Sequence, residues 1–218
     1  MSAAPTVVLE RELLAQHPLL LALDEVGRGA LAGPVAVGVT RVDAATLERA
    51  MPGDLRDSKL VTEARRPGLA ERAQAWVTAH AVGWASASEV DEWGIIRALG
   101  VAASRAITTV CADAAEQHEA RVLLDGNHDY LTPVHPHRLR VRTVVKGDRD
   151  CGSIAAASVI AKVARDTHMA TLHEEYDQYG WDRNKGYASA AHREAIRALG
   201  LSPYHRASWA IKDAPALF

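Results

Sequence analysis

Residues Leu19 to Pro34 read LLLALDEVGRGALAGP, an apolar run that meets two adjacent carboxylates, Asp24 and Glu25, and then a glycine-arginine-glycine turn at Gly27, Arg28 and Gly29. An apolar run bounded by glycine marks a buried strand, so Asp24 is expected where that strand runs out. A carboxylate buried there without compensation is costly, and its acidic neighbour repels it. A divalent cation removes both penalties. Adjacent strand residues face opposite ways, so the two acids converge only if the backbone bends straight after them. Gly27 and Gly29 permit that bend and, having no Cβ, let main-chain N–H and C=O groups approach a ligand. Arg28 adds a planar cation suited to phosphate. Taken alone, the stretch is also open to a structural turn or to a dinucleotide loop. Against the latter, the spacing of Gly27, Gly29 and Gly33 misses the fingerprint by one residue, and the acids would repel a pyrophosphate.

The same device recurs twice. Arg121 to Leu124 is a short apolar strand that ends in Asp125-Gly126-Asn127, and Val141 to Val145 is another that ends in Lys146-Gly147-Asp148. Three strand-terminal acidic sites, each beside a glycine, are what ligands converging above the ends of neighbouring strands would leave in a sequence. Four carboxylates with no cysteine or histidine beside them favour magnesium or manganese over zinc. Cys111 and Cys151 have neither the number nor the spacing of a disulfide framework or zinc site, and read as small apolar fillers. His135 and His137 flank Pro136 in a loop and make a poor metal site.

The remaining segments read as an α/β chain. Residues 1–18 form an arm; Val35 to Val42 pairs back on the first strand as an antiparallel hairpin. The loop Met51 to Lys59 holds Asp57, Ser58 and Lys59, either a helix cap or a serine and lysine gripping one phosphate. A helix over Ala64 to Thr78, a strand over His80 to Ala87, and a helical stretch opened by a capping box at Ser88 and Asp91 follow. The strongest helical periodicity runs from Ser153, its expected cap, to about Tyr179, with alanines facing the sheet. On it Lys162 and Arg165 read as exposed charges, Asp166 being the partner of Lys162. Tyr179 to Tyr187, rich in aromatics, cations and glycines, resembles a nucleic-acid surface, and a last helix spans Ser189 to Leu199.

Net charge is −2 over 218 residues, yet Arg138, Arg140, Arg142, Lys146 and Arg149 cluster with Asp148 as the only acid between them. That cluster is either a solvated edge or a track for a phosphate backbone. A composition of 48% hydrophobic and 24% charged residues is that of a soluble globular domain, one large unit or a domain with a small appendage. There is no apolar run of the ~20 residues a membrane span needs and no basic-then-apolar leader, so a cytoplasmic location is expected.

Taken in order, Asp24-Glu25-Val26-Gly27-Arg28-Gly29, Asp57-Ser58-Lys59, Asp125-Gly126-Asn127, Lys146-Gly147-Asp148, the Ile154 to Lys162 run with Arg165-Asp166, and Lys185-Gly186-Tyr187 resemble bacterial ribonuclease HII, the type 2 ribonuclease H, from about Leu19 to Trp209. The resemblance implies a ribonuclease H-like five-stranded mixed sheet flanked by helices: an arm at 1–18, a catalytic core at 19–180 and a helical C-terminal extension at 181–218. It implies endonucleolytic cleavage of RNA in RNA–DNA hybrids and at single ribonucleotides embedded in duplex DNA. Two divalent cations, Mn2+ or Mg2+, would be held by Asp24, Glu25, Asp125 and Asp148, and the products would carry 3′-hydroxyl and 5′-phosphate ends. The backbone of Gly27, Arg28 and Gly29 would read the ribose 2′-hydroxyl, with Tyr187 packed beneath the sugar. Ser58, Lys59, Lys146 and Lys185 complete the expected substrate contacts. Asn184 stands where the family often has histidine, and Cys151-Gly152 where more polar residues are expected, which touches local phosphate contacts only.

A monomer is the default. The terminal Ala216-Leu217-Phe218 resembles the end of sliding-clamp-binding peptides, without their glutamine; a frayed or core-packed terminus is the competing reading. Two rivals of other classes stand beside the nuclease. A Rossmann-like enzyme would bind a dinucleotide and leave the acids without metal. A non-catalytic nucleic-acid-binding module would keep the basic segment but have no use for four strand-end acids.

Overall fold

The computed structural model describes residues 4–55 and 61–209. In chain order its elements are α1 (Val8–Leu14), β1 (Leu20–Val26), β2 (Val35–Val42), α2 (Ala44–Glu48), α3 (Arg66–Trp76), β3 (Ala79–Ala85), α4 (Ala87–Trp93), α5 (Ile95–Val110), α6 (Ala114–Glu119), β4 (Arg121–Asp125), β5 (Arg140–Val144), α7 (Gly147–Asp150), α8 (Gly152–Glu175), α9 (Trp181–Asn184) and α10 (Ala190–Leu199). The strands form one mixed sheet in the order β3-β2-β1-β4-β5. β1, β2 and β3 pair antiparallel, whereas β4 and β5 continue from β1 in parallel. No helix among the described residues is long and apolar enough to cross a membrane.

Both sheet faces are covered, which explains why β1 is apolar at consecutive positions. Leu21 and Leu23 face the α5 side with Leu99, Ala103 and Ile107, whereas Leu20 and Ala22 face the α8 side with Ala155, Ala156 and Val159. The helices come close because small residues meet. A Cβ at Gly38 of β2 would strike the Ala157 carbonyl of α8, and one at Gly83 of β3 would strike that of Ala102 in α5. The alanine-rich turns thus set the helix–sheet distance, as their composition suggested.

Several local expectations are corrected. The arm carries α1, and its Glu10 is fully buried: Oε1 accepts both Ser153 N (2.9 Å) and Ser153 Oγ (2.7 Å). Ser153 is therefore capped by a distant side chain rather than acting as the cap, which lies at Cys151. The capping box belongs to Ser86 and Glu89, not Ser88 and Asp91. The helical stretch after it breaks at Gly94 (φ 75°), giving α4 and α5. Both cysteines are buried, and burial pushes their thiols up to about 11 (Cys111) and about 12 (Cys151), as fits fillers. His135 is engaged by Ser104 and Gln117.

Candidate active site

The acids sit where the sheet opens. β1 keeps its antiparallel ladder with β2 through Val26↔Ala36, but its parallel ladder with β4 ends at Leu23↔Leu124. Asp24 and Glu25 thus lie inside the strand rather than past its end, and the bend comes at Gly27 (φ 85°). Strand alternation turns Asp24 to the α8 side and Glu25 to the α5 side. Asp125 closes β4, and its Oδ1 accepts Asp148 N at 3.2 Å, which joins α7 to that strand end. Asp148 itself stands in the first turn of α7 and not at a strand end, Lys146 before it taking the left-handed conformation (φ 60°).

Charge ties the four together. Burial above all holds Asp24 well above the ordinary carboxylate range; Ser158 opposes this by a hydrogen bond, and Glu25, Asp125 and Asp148 add to it. Burial likewise raises Glu25, opposed by Arg28 at 3.6 Å and reinforced by Asp125. The buried phenol of Tyr130 is raised by burial and then by Glu25, Asp24 and Asp125, and its hydroxyl has no hydrogen-bond partner among the described residues. Among the described residues no three of these acids close on one point tightly enough to hold an ion as they stand. Like charges facing one another across an open strand end add to the effect of burial on these groups.

A cavity of about 520 Å³ adjoins the acids. Its wall runs along β1 and its turn from Asp24 to Gly29, and is completed by Arg66, by Ser158 and Lys162 one turn apart on α8, and by Tyr187. Asp125 and Asp148 do not line it. The ring of Tyr187 lies 5.9 Å from Lys162 Nζ and 5.4 Å from Arg165 Cζ. Ser158 and Lys162 escaped the sequence reading. The signal was a lone serine in an alanine run, with a lysine four residues on and hence on the same face. Lys162 pairs with Asp166 as expected, at 2.7 Å, but its side chain is mostly buried against the cavity wall rather than an exposed helix charge.

Other expected contacts divide. Arg28 is half exposed and Lys146 exposed at the same edge. Lys185 takes a left-handed backbone (φ 51°), and its ammonium is held by Asp182 O and by Glu63 at 3.1 Å. Ser58 and Lys59, with Asp57, lie outside the described residues, as does the 216–218 tail. Arg165 is not an exposed helix charge. It is fully buried and donates to Pro34 O (2.9 Å), Lys185 O (3.0 Å) and Ala32 O (3.2 Å). Nor is 179–187 an aromatic surface. Trp181 is buried, bonded to His192 Nε2 (3.1 Å) and stacked on Tyr179, whose hydroxyl donates to Gly200 O (2.9 Å), so Tyr187 alone of these rings reaches the cavity.

A five-stranded mixed sheet in this order, flanked by helices on both faces, is a fold of the ribonuclease H type. A profile of the family described as Ribonuclease HII matches residues 21–212. The chain is 46% identical over 212 residues to the ribonuclease HII of Streptomyces avermitilis, covering 96% of this chain and 85% of that one. It belongs to the ribonuclease HII family, and is thus a type 2 ribonuclease H, an endoribonuclease of RNA–DNA hybrids. Solved structures share the fold. RNase HII of Archaeoglobus fulgidus, in complex with PCNA, superposes with a TM-score of 0.69 at 24% identity, over 88% of this chain and 96% of that one. Bst-RNase HIII in complex with Mn2+ gives 0.67 at 24% identity, over 86% and 65%.

Proposed function

We propose that Asp24, Glu25, Asp125 and Asp148 are the catalytic carboxylates, that they hold two divalent cations, Mn2+ or Mg2+, and that the enzyme incises at single ribonucleotides in duplex DNA as well as in longer hybrids. The observation that carries the reading is the Asp24 carboxyl, buried among the charges of Glu25, Asp125 and Asp148. Such repulsion, together with burial, makes the charged form costly, and divalent cations bound between the carboxylates would offset that cost. The donor set is oxygen only, which fits hard cations. Bis-metal sites supply Lewis-acid activation of water and neutralise charge on a phosphate. The products are 3′-hydroxyl and 5′-phosphate ends.

The protein's own groups divide the remaining work. Ser158 fixes the Asp24 carboxylate through its hydroxyl. Arg28, now beside Glu25, is free enough to swing to a phosphate once cations take over that carboxylate. The Gly27–Gly29 backbone meets the ribose 2′-hydroxyl, which is both donor and acceptor and is what lets a protein tell RNA from DNA at one position. Tyr187 supplies a flat surface for the sugar across the cavity. Lys59, Ser58, Lys146 and Lys185 are assigned to the phosphate backbone, Lys185 only after exchanging its present partners. Residues 19–180 are the catalytic core and 181–218 an extension, of which 181–209 are described and pack upon it, in a cytoplasmic monomer.

The test is cleavage of a duplex containing one ribonucleotide, with Mn2+ or Mg2+, by the protein and by Asp125→Asn. Incision beside the ribonucleotide, lowered by orders of magnitude in the variant at unchanged circular dichroism, is expected. Near-normal cleavage by Asp125→Asn defeats the assignment. A second reading concerns a partner: because the Archaeoglobus fulgidus relative was solved with PCNA, a sliding-clamp contact through Ala216-Leu217-Phe218 is testable by deleting those residues and measuring clamp binding.

A further inference from the structure

We infer that Arg206 is a positioning residue for the Gly27–Gly29 turn: a buried guanidinium that gathers the turn's carbonyl oxygens from behind and thereby fixes how its N–H groups face the cavity. The inference rests on the reading of that turn as the sugar-contacting element, and adds what holds it in shape.

Arg206 is 2% exposed and forms no ion pair among the described residues. Its donors go to main-chain oxygens instead: Nη2 to Gly27 O (2.8 Å) and Gly33 O (3.1 Å), Nη1 to Arg28 O (3.0 Å), and Nε to Gly33 O (3.3 Å). Burying a charge this way is costly, and the neighbouring Arg165 adds to that; burial first and Arg165 second bring Arg206 down to about 10, still charged at neutral pH. What the molecule gains is geometry. A planar fork reaches three carbonyls at once, which lysine cannot do. With the carbonyls of Gly27 and Arg28 drawn to the inner side, peptide planarity turns the following N–H groups of Arg28 and Gly29 the other way.

The fork is itself held rigidly. Arg206 N donates to Leu31 O (2.9 Å), Gly33 N to Tyr204 O (2.8 Å), and Ala32 bridges to His205. On the far side Asp91 accepts Ala207 N (2.8 Å), Ser208 N (3.0 Å) and Ser208 Oγ (2.5 Å), while the Trp209 ring lies 5.0 Å from the guanidinium carbon. Arg165 takes Ala32 O and Pro34 O from the same loop. Two guanidiniums thus serve one loop through carbonyls alone. Remote phosphate contacts bring substrate in, whereas this turn sets the sugar and therefore the phosphate beside it, so losing the fork is felt in kcat more than in KM.

The experiment compares the wild type with Arg206→Lys and Arg206→Met on a duplex containing one ribonucleotide, and follows amide hydrogen exchange at residues 27–33 in the same samples. The expected result is a kcat about 10- to 100-fold lower with KM within about twofold, lysine recovering only part of the loss. Exchange at 27–33 should rise while the strands stay protected. A purely structural Arg206 would lower the melting temperature but leave kcat of the folded protein and the exchange of 27–33 at wild-type values; that outcome overturns the inference. Should neither variant fold, proton NMR of the wild-type guanidinium decides. Separate, slowly exchanging Nη signals are expected, and averaged, fast-exchanging ones overturn it. Failure of the wild type to cleave the ribonucleotide duplex would strike the sugar-reading assignment instead, since exchange and NMR need no substrate.

Discussion

Alanine at Gly27 and at Gly29 should separate folding from recognition within one turn. At Gly27 the backbone is left-handed (φ 85°), and an added Cβ would run into the Arg165 guanidinium. The conformation alone costs about 1–2 kcal/mol in a non-glycine residue. Moving Arg165 would strand at least one of the three carbonyls it serves, about 1–3 kcal/mol more. Gly27→Ala is therefore expected to lose on the order of 2–5 kcal/mol of stability, enough to lower the melting temperature plainly. Gly29 differs: nothing lies within 4 Å of the position a Cβ would take, and its φ is outside the left-handed region. Stability of Gly29→Ala should be unchanged or up to about 1 kcal/mol greater. If backbone and ribose meet there, however, the methyl stands between them, and a displacement of about 1 Å lowers the rate about 100-fold. Thermal melts paired with single-turnover cleavage of one-ribonucleotide duplexes would measure both. A Gly29→Ala protein that melts like wild type, cleaves at its rate and keeps its preference for the ribose would refute the assignment of the turn.

Two further outcomes can be stated. Asp24 is held above its ordinary value of 3.8 and Glu25 above 4.5, so in chelator these two groups bind protons more tightly in the folded protein than in the unfolded one. Their contribution to stability is then fully present below about pH 4 and is lost as pH rises through the raised folded values. The buried histidines with lowered values, such as His192 and His205, act in the opposite sense. Urea denaturation at about pH 5 and about pH 8 in EDTA should show the loss as a difference between the wild type and Asp24→Asn, the variant gaining stability relative to the wild type as pH rises, and Mn2+ should shrink that difference; the same pH slope in both proteins would count against the coupling. Glu10→Ala should cost about 1–2 kcal/mol by stranding Ser153 N and Oγ at the start of α8, read as a lower melting temperature, and an unshifted melt would return residues 1–18 to the role of a loose arm.

Strands were legible because alternation and glycine punctuation act locally. The span Val35–Val42 agrees to the residue, and β4 and β5 fall within one residue of their expected limits. Helix starts were less legible. Ser86 and Ser88 each precede an acid by three residues, and only the structure shows Glu89 reaching back to Ser86 N (2.7 Å) while Asp91 is drawn away to the backbone of 207–208. The break at Gly94 is a single-residue decision within continuously helical composition, and α6 is opened by Asp113 accepting Glu116 N after the chain leaves α5 at Cys111.

The larger failure has one physical root. Arg165 sits beside Asp166 and four residues after Ala161 in a pattern that reads as a helix surface, and Arg206 sits in a segment with no periodicity at all, yet both are buried against main-chain oxygens. Any residue offers a carbonyl, so a guanidinium that binds carbonyls leaves no partner in the sequence to find. The acids were visible because carboxylates at the ends of apolar strands are anomalous on their own; the groups that shape the turn were not, because their partners are the one chemical feature every position shares. It follows that in this chain the residues assigned to substrate were read from local oddity, while the groups proposed to fix their direction come from segments distant in sequence, Arg165 on α8 and Arg206 beyond α10. A C-terminal truncation ending before Arg206 would therefore remove part of the active-site architecture even though no expected substrate contact lies there.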